Sequence, residues 1–143
     1  GKQVHLICIL KGSVFFTCEL AKRISVPVSM DFMSVSSYGD GTSSSGIVKI
    51  AKDLDETIEG KDVIVIEDII DTGFTMNCLI QRLHSMNVSS VKIATMLFKP
   101  NKFQFDYHID YIGMNIGNEF IVGYGLDYNQ LGRNLKDIYV VDE

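Results

Sequence analysis

The chain has 143 residues, 46% of them apolar, which is enough for one domain whose core buries roughly two-thirds of the unfolded surface. Eighteen acidic residues against 13 basic ones leave a net charge of −5, with neither sign gathered into a long block. That balance excludes a polybasic stripe for nucleic acid or an anionic membrane.

In chain order, QVHLICIL (3–10) is a short apolar run with the look of a strand buried on both faces, ending in Lys11-Gly12. SVFFTCELAKRI then places Val14, Phe15, Cys18, Ala21 and Ile24 at helical spacing, and Val26-Pro27 stops that helix. VSMDFMSV is a second strand. The Ser/Gly tract 36–46 cannot pack a core and is expected to be mobile, with IVKIA a further strand beyond it. Glu59 to Asp62 forms a turn into VIVI, the strongest buried-strand signal in the chain.

Met76, Leu79, Ile80, Leu83 and Met86 predict an amphipathic helix over Thr75–Ser85, and VKIATML another strand. Past Pro100 come YIGMNI, FIVGYG and a last apolar run, IYVV, expected to finish the sheet and fold beside it. The alternation predicts an α/β fold with a largely parallel central sheet flanked by helices. Cys8, Cys18 and Cys78 have neither C-x-x-C spacing nor a paired histidine, so they read as small core residues in a reducing cytoplasm. No apolar stretch approaches the length of a bilayer crossing.

The chemistry concentrates in VIVIEDIIDTGFT (63–75), an apolar run ending in Glu67, Asp68 and Asp71 and passing into Thr72-Gly73-Phe74-Thr75. Clustered carboxylates are costly at a core edge, so they imply something to bind there. Gly73 permits a tight turn, the following helix aims unpaired N–H groups back at it, and two threonines add hydroxyls; a phosphomonoester fits such a turn. Glu67 and Asp68 suit vicinal hydroxyls or a hydrated magnesium ion, and the two together describe a ribose phosphate. A plainer reading is a strand-to-helix turn whose acids cap the helix. Neither G-x-x-x-x-G-K-[ST] nor G-x-G-x-x-G after a strand is present.

The run Glu-Asp-Ile-Ile-Asp-Thr-Gly-x-Thr resembles the phosphoribosyl-pyrophosphate motif of the type I phosphoribosyltransferases, in the form found in their hypoxanthine-guanine branch. Leu10-Lys11-Gly12-Ser13 looks like the family's pyrophosphate loop, Ser36 to Gly39 like its mobile catalytic loop, and Lys99-Pro100 like its purine-recognition lysine. Phe120 to Tyr128 with Arg133-Asn134-Leu135 resembles the base-stacking and metal-binding segment. The resemblance implies one phosphoribosyltransferase domain over 1–143 without the N-terminal helical segment usual in the family. It also implies an antiparallel flexible-loop excursion and a small C-terminal hood element.

It implies further that the phosphoribosyl group of phosphoribosyl pyrophosphate passes to N9 of hypoxanthine, and of guanine, in cytoplasmic purine salvage, releasing pyrophosphate. Asp71 would be the general base for the purine N7 proton. Glu67, Asp68, Asp71, Thr72, Gly73, Phe74 and Thr75 would hold the phosphoribosyl group. Lys99, Phe120, Ile121 and Asp127 would hold the purine, and Lys11, Gly12 and Arg133 the pyrophosphate. Ser37 and Tyr38 would form the lid. Mg²⁺ would be held by Asp127 directly and by Glu67 and Asp68 through hydroxyls and water. The family's pyrophosphate loop carries a cis peptide before the residue matching Lys11, here Leu10-Lys11, and the sequence leaves open whether this bond is cis. A homodimer or homotetramer is expected as the assembly, and no nucleic acid or membrane as partner. Lysine offers only donors, which match the O6 acceptor of hypoxanthine and oppose the amino group of adenine. On residues alone, Asp127 and Arg133 could equally pair with each other. The alternative is a phosphoribosyl-pyrophosphate-binding regulator of the same fold, which would need a basic face for nucleic acid.

Overall fold

The computed structural model describes residues 2–38 and 47–142. The elements run β1 (Val4–Leu10), α1 (Val14–Arg23), β2 (Val28–Tyr38), β3 (Ile47–Lys52), β4 (Asp62–Ile70), α2 (Phe74–His84), β5 (Ser90–Phe98), β6 (Tyr111–Asn115), β7 (Ile121–Val122) and β8 (Tyr139–Val140). Six strands form one sheet in the order β3-β2-β1-β4-β5-β6, while β7 and β8 pair in a small separate sheet. All pairings in the large sheet are parallel except β2 with β3. The expected α/β architecture, antiparallel excursion and small C-terminal element are all present.

Alternate residues of the central strands feed two cores, because successive side chains point to opposite faces. Ile7, Ile9, Val63, Val65 and Ile93 pack with Met76, Leu79 and Leu83 of α2. Leu6, Ile66 and Ala94 pack with Phe16, Leu20 and Ala21 of α1. From β1 the chain winds outward through α1 to β2; from β4 it winds the other way through α2 to β5. The order therefore reverses between β1 and β4, where open parallel sheets leave a crevice beyond the strand ends.

Several expectations are corrected. Of the expected α1 face, Ala21 and Ile24 do pack on the core, together with Phe16 and Leu20 and beside buried Thr17, but Phe15 is 40% exposed and Cys18 lies open to solvent. Adjacent Phe15 and Phe16 make two helical faces almost equally apolar. Ser36–Tyr38, expected at the start of the mobile tract, continue β2 by pairing with Val48 and its neighbours, so the ladder accommodates their backbone polar groups. The rest of that tract, 39–46, lies outside the described residues. FIVGYG is a strand only at Ile121–Val122, since φ values of +107°, +49° and +102° at Gly123, Tyr124 and Gly125 end the extended run. IYVV likewise shortens to Tyr139–Val140. Among the described residues, no helix is long and apolar enough to cross a membrane.

Candidate active site

Beyond the ends of β1 and β4 lies a cavity of about 370 Å³. Its walls include Lys11 and Gly12 from the loop after β1, Glu67 to Thr75 from the end of β4 into α2, and Asp127 and Arg133 from the C-terminal segment. Three loops far apart in sequence thus meet at the switch point.

The first loop begins at a cis peptide between Leu10 and Lys11, the point the sequence leaves open. It is anchored by Ser13, fully buried, whose hydroxyl donates to the Ile9 carbonyl at 2.6 Å and lies 3.3 Å from Cys8 Sγ. Gly12 sits so close to Asp68 that a Cβ would overlap Oδ2 of the carboxylate. Only glycine lets the two strand ends approach this far. The C-terminal segment closes on the same point: Gly125 packs on the Gly12 carbonyl, and Arg133 Nη1 donates to the Gly125 carbonyl at 2.8 Å.

Glu67 is 9% exposed and accepts the Asp68 N–H at 3.1 Å. Burial first, then the neighbouring Asp68 charge, pushes its carboxyl well above the usual carboxylate range. Asp71 is more open and faces two ammonium groups, Lys99 Nζ at 3.6 Å from Oδ2 and Lys102 Nζ at 4.0 Å from Oδ1. Its Oδ1 is shut off from solvent and has no hydrogen-bond partner among the described residues.

The turn that follows has Gly73 at φ +92° as the residue before α2, with no side chain capping the helix. Phe74 N–H reaches Thr72 Oγ1 at 3.4 Å, and Asn77 N–H closes on the Gly73 carbonyl at 3.0 Å. First-turn amides of a helix have no partner within it, so this end offers donors and a positive dipole to the cavity. Carboxylates, a cationic loop and a row of amides in one crevice form a receptacle for a sugar bearing phosphates.

A family model described as the phosphoribosyl transferase domain matches residues 1–129. The chain is 53% identical over 143 residues to the hypoxanthine-guanine phosphoribosyltransferase of Streptococcus thermophilus, covering 100% of this chain and 79% of the relative. It is 46% identical over 142 residues to the enzyme of that name from Mycobacterium tuberculosis, covering 99% of this chain and 70% of the relative. The solved hypoxanthine phosphoribosyltransferase of Staphylococcus aureus superposes with a TM-score of 0.93 at 48% identity, covering 99% of this chain and 77% of that one. The chain belongs to the hypoxanthine-guanine phosphoribosyltransferases.

Within that family frame, the structure brings Lys11, Gly12, Glu67, Asp68, Asp71 to Thr75, Asp127 and Arg133 to one cavity. Lys99 does not line it but reaches it through Asp71. Phe120 and Ile121 stand off the cavity walls; Phe120 is 52% exposed and meets Tyr128 edge-on at 5.8 Å. Ser37 and Tyr38 are the last residues of β2, paired by backbone with Val48 and Ile47.

Asp127 and Arg133 do pair, at 3.4 Å, while both face the cavity, so ion pair and site coincide. For a metal, no cluster of three His, Cys, Asp or Glu side chains exists among the described residues. Magnesium typically takes one or two carboxylates and leaves its other positions to water and substrate phosphates, so Asp127 and Asp68 on the walls fit that role.

Residues invisible to sequence reasoning also reach the site. Lys102 faces Asp71, and Phe103 and Tyr107 rest against Gly73. The alternation Phe103, Phe105, Tyr107 was the available signal, but nothing local says which partner it covers.

Proposed function

We propose that this cavity binds phosphoribosyl pyrophosphate and a 6-oxopurine and that Asp71 handles the proton. The chain is a transferase of the hypoxanthine-guanine phosphoribosyltransferase family, moving a 5-phosphoribosyl group from phosphoribosyl pyrophosphate to hypoxanthine or guanine in purine salvage. The observation that carries the assignment of roles is the meeting of the acidic strand end, the glycine turn, Lys11 and Arg133 in one crevice, with Lys99 3.6 Å from Asp71.

The amides of residues 73–75 and the threonine hydroxyls hold the 5′-phosphate. Glu67 and Asp68 take the ribose hydroxyls, while Lys11, the Gly12 backbone and the planar fork of Arg133 take the pyrophosphate. N9 of the base attacks C1 of the ribose, the C1–O bond breaks with its electron pair leaving on pyrophosphate, and the N7 proton passes to the Asp71 carboxylate. The sugar gains oxocarbenium character on the way, so adjacent carboxylates lower the barrier electrostatically and the walls align the partners. Magnesium, held by Asp127 and through water by Glu67 and Asp68, would neutralise charge on the departing pyrophosphate.

Lys99 swings from Asp71 to the purine O6, leaving the base carboxylate free as the substrate arrives. Phe120, from its exposed position, closes over the ring, with the backbone of Ile121 and Asp127 at the pairing edge. Ser37 and Tyr38 close over the pyrophosphate to exclude water. The whole chain acts as one domain, in the cytoplasm and as a homodimer or homotetramer, and yields inosine monophosphate from hypoxanthine. The alternative of a regulator finds no support, since the relatives reported above are all named as enzymes.

The test is pyrophosphate release with phosphoribosyl pyrophosphate, magnesium and each of hypoxanthine, guanine, xanthine and adenine. Hypoxanthine and guanine turn over, and adenine scarcely does. Asp71→Asn lowers kcat by about 10²- to 10⁴-fold, and Lys99→Ala erodes the preference over adenine. An Asp71→Asn enzyme as fast as the parent would remove Asp71 from the chemistry.

A further inference from the structure

The segment between β5 and β6, residues 99–110, runs along the outer side of the phosphate turn and bonds to it at three successive points. Lys99 N–H donates to the Ile70 carbonyl at 3.0 Å, Gln104 N–H to the Thr72 carbonyl at 2.9 Å, and the Tyr107 hydroxyl to the Gly73 carbonyl at 2.7 Å. Phe103 fills the space beside Gly73, where a Cβ would stand 2.5 Å from its ring and 2.7 Å from the Tyr107 hydroxyl. The two rings meet edge-to-face at 5.1 Å, and Phe98 packs on the far side of Phe103 at 5.2 Å.

These bonds all hold carbonyls, and the peptide group is planar and trans. A carbonyl held toward the 99–110 segment turns the N–H of the same peptide to the opposite side. Gripping the Thr72 and Gly73 carbonyls therefore turns the Gly73 and Phe74 amides away from the segment, to the side of the cavity that Thr72 to Thr75 line, where the Phe74 N–H meets only the distant Thr72 Oγ1 at 3.4 Å.

We propose that Tyr107 is a positioning residue for the sugar phosphate: its hydroxyl fixes the Gly73–Phe74 peptide so that the turn presents its amides to the phosphoryl oxygens. The inference rests on the reading of this turn as the phosphate site. Tyr107 is not part of the cavity wall, so its effect passes through the Gly73 carbonyl. Because Asn77 N–H also bonds that carbonyl, loss of the hydroxyl leaves no buried acceptor unpaired, and Tyr107→Phe folds.

The experiment compares wild type, Tyr107→Phe and Phe105→Leu. Phe105 packs on Phe103 and Tyr107 at ring separations of 6.4 and 5.8 Å, so its variant loosens the segment while the hydroxyl stays in place. Steady-state rates are measured over phosphoribosyl pyrophosphate and over hypoxanthine, with ribose 5-phosphate as a competing probe. Tyr107→Phe raises KM for phosphoribosyl pyrophosphate and Ki for ribose 5-phosphate together, by about 3- to 10-fold, with kcat and the hypoxanthine KM little changed. Phe105→Leu lowers Tm and leaves KM and Ki near wild type.

Equal KM values in wild type and Tyr107→Phe, with wild type active, would overturn the positioning role and leave the phosphate site standing. Equal rises in both variants would assign the effect to general loosening and overturn it too. A wild-type enzyme that ribose 5-phosphate does not inhibit, and whose rate is indifferent to phosphoribosyl pyrophosphate, would remove the phosphate site and the inference with it.

Discussion

Asp31 on β2 and Glu67 on β4 are both nearly buried carboxylates of one sheet, 3% and 9% exposed, yet their surroundings differ in kind. Asp31 accepts three backbone N–H bonds, from Phe32 at 2.8 Å, Asp55 at 2.8 Å and Glu56 at 3.2 Å. Desolvation alone would lift its carboxyl, but the three donors, aided by Lys52, hold it below the usual carboxylate range. Glu67 accepts one N–H, from the residue next to it, and shares its wall with Asp68. Its carboxyl is pushed up instead. A buried acid supplied with donors by its own fold is a fastening for the chain after β3. One left short of donors at a cavity wall fits the binding role proposed for Glu67, in which its partners would arrive with the ligand.

That contrast can be broken most severely at Gly12. In Gly12→Ala the new methyl must displace the Asp68 carboxylate, or the loop after β1 must move away from it. Overpacking of this kind costs about 1–3 kcal/mol of stability. The larger effect is on rate, because a shift near 1 Å in a substrate-holding loop costs about 10²-fold. Steady-state kinetics and thermal melts together check both, and a fully active Gly12→Ala protein would show that the Gly12–Asp68 contact does not set the site's geometry.

The opposite side of the comparison is Asp31→Ala, which strands the Asp55 and Glu56 amides and loses about 1–3 kcal/mol by urea denaturation at neutral pH. KM values stay put, since Asp31 does not line the cavity. The pH dependence has a definite sign. A carboxyl lowered in the folded state stabilises above its unfolded value, near 3.8, and that contribution vanishes as pH falls through the lower folded value. The gap between wild type and Asp31→Ala therefore narrows in acid. A gap that stayed constant down to about pH 3 would mean that the fastening is not the ionised carboxylate.

How much of this was legible beforehand varies along the chain for physical reasons. The strands around VIVI and the stripe of α2 follow from contiguous patterns, and so does the acid run with its threonine-glycine turn, because one stretch of backbone carries all of it. The face of α1 is legible at Ala21 and Ile24 but not at its start, where Phe15 and Phe16 compete, and the end of the FIVGYG strand is not legible because positive φ at Tyr124 has no apolar signature. The resemblance gives Phe120 a place on the base, and its exposed position against Tyr128 carries no local pattern that would show it. Tyr107 carries no local signal: its bond to Gly73 spans 34 residues, and only the course of the β5–β6 connection brings the two together. Asp31 shows the same limit, since its donors lie 24 and 25 residues away across the excursion.

The finest test concerns Glu67 itself. If its burial is borne for the sake of a ligand, Glu67→Gln keeps the shape, removes the charge and relieves Asp68 of a like-charged neighbour. The free protein then gains stability at neutral pH, by an amount of the order of a few degrees in Tm for a chain of this size. The sign follows from linkage: a carboxyl raised by folding favours the folded state below its unfolded value, near 4.5, and loses that advantage as pH rises toward the raised folded value. The stabilisation by Glu67→Gln should thus be absent below about pH 4 and grow above it, opposite in sense to the loss in Asp31→Ala. Activity should move against stability, because glutamine is a weaker acceptor for the ribose hydroxyls and does not offset oxocarbenium charge. If Glu67→Gln instead melts lower than wild type at neutral pH, Glu67 is a fastening like Asp31, and the distinction drawn between the two carboxylates fails.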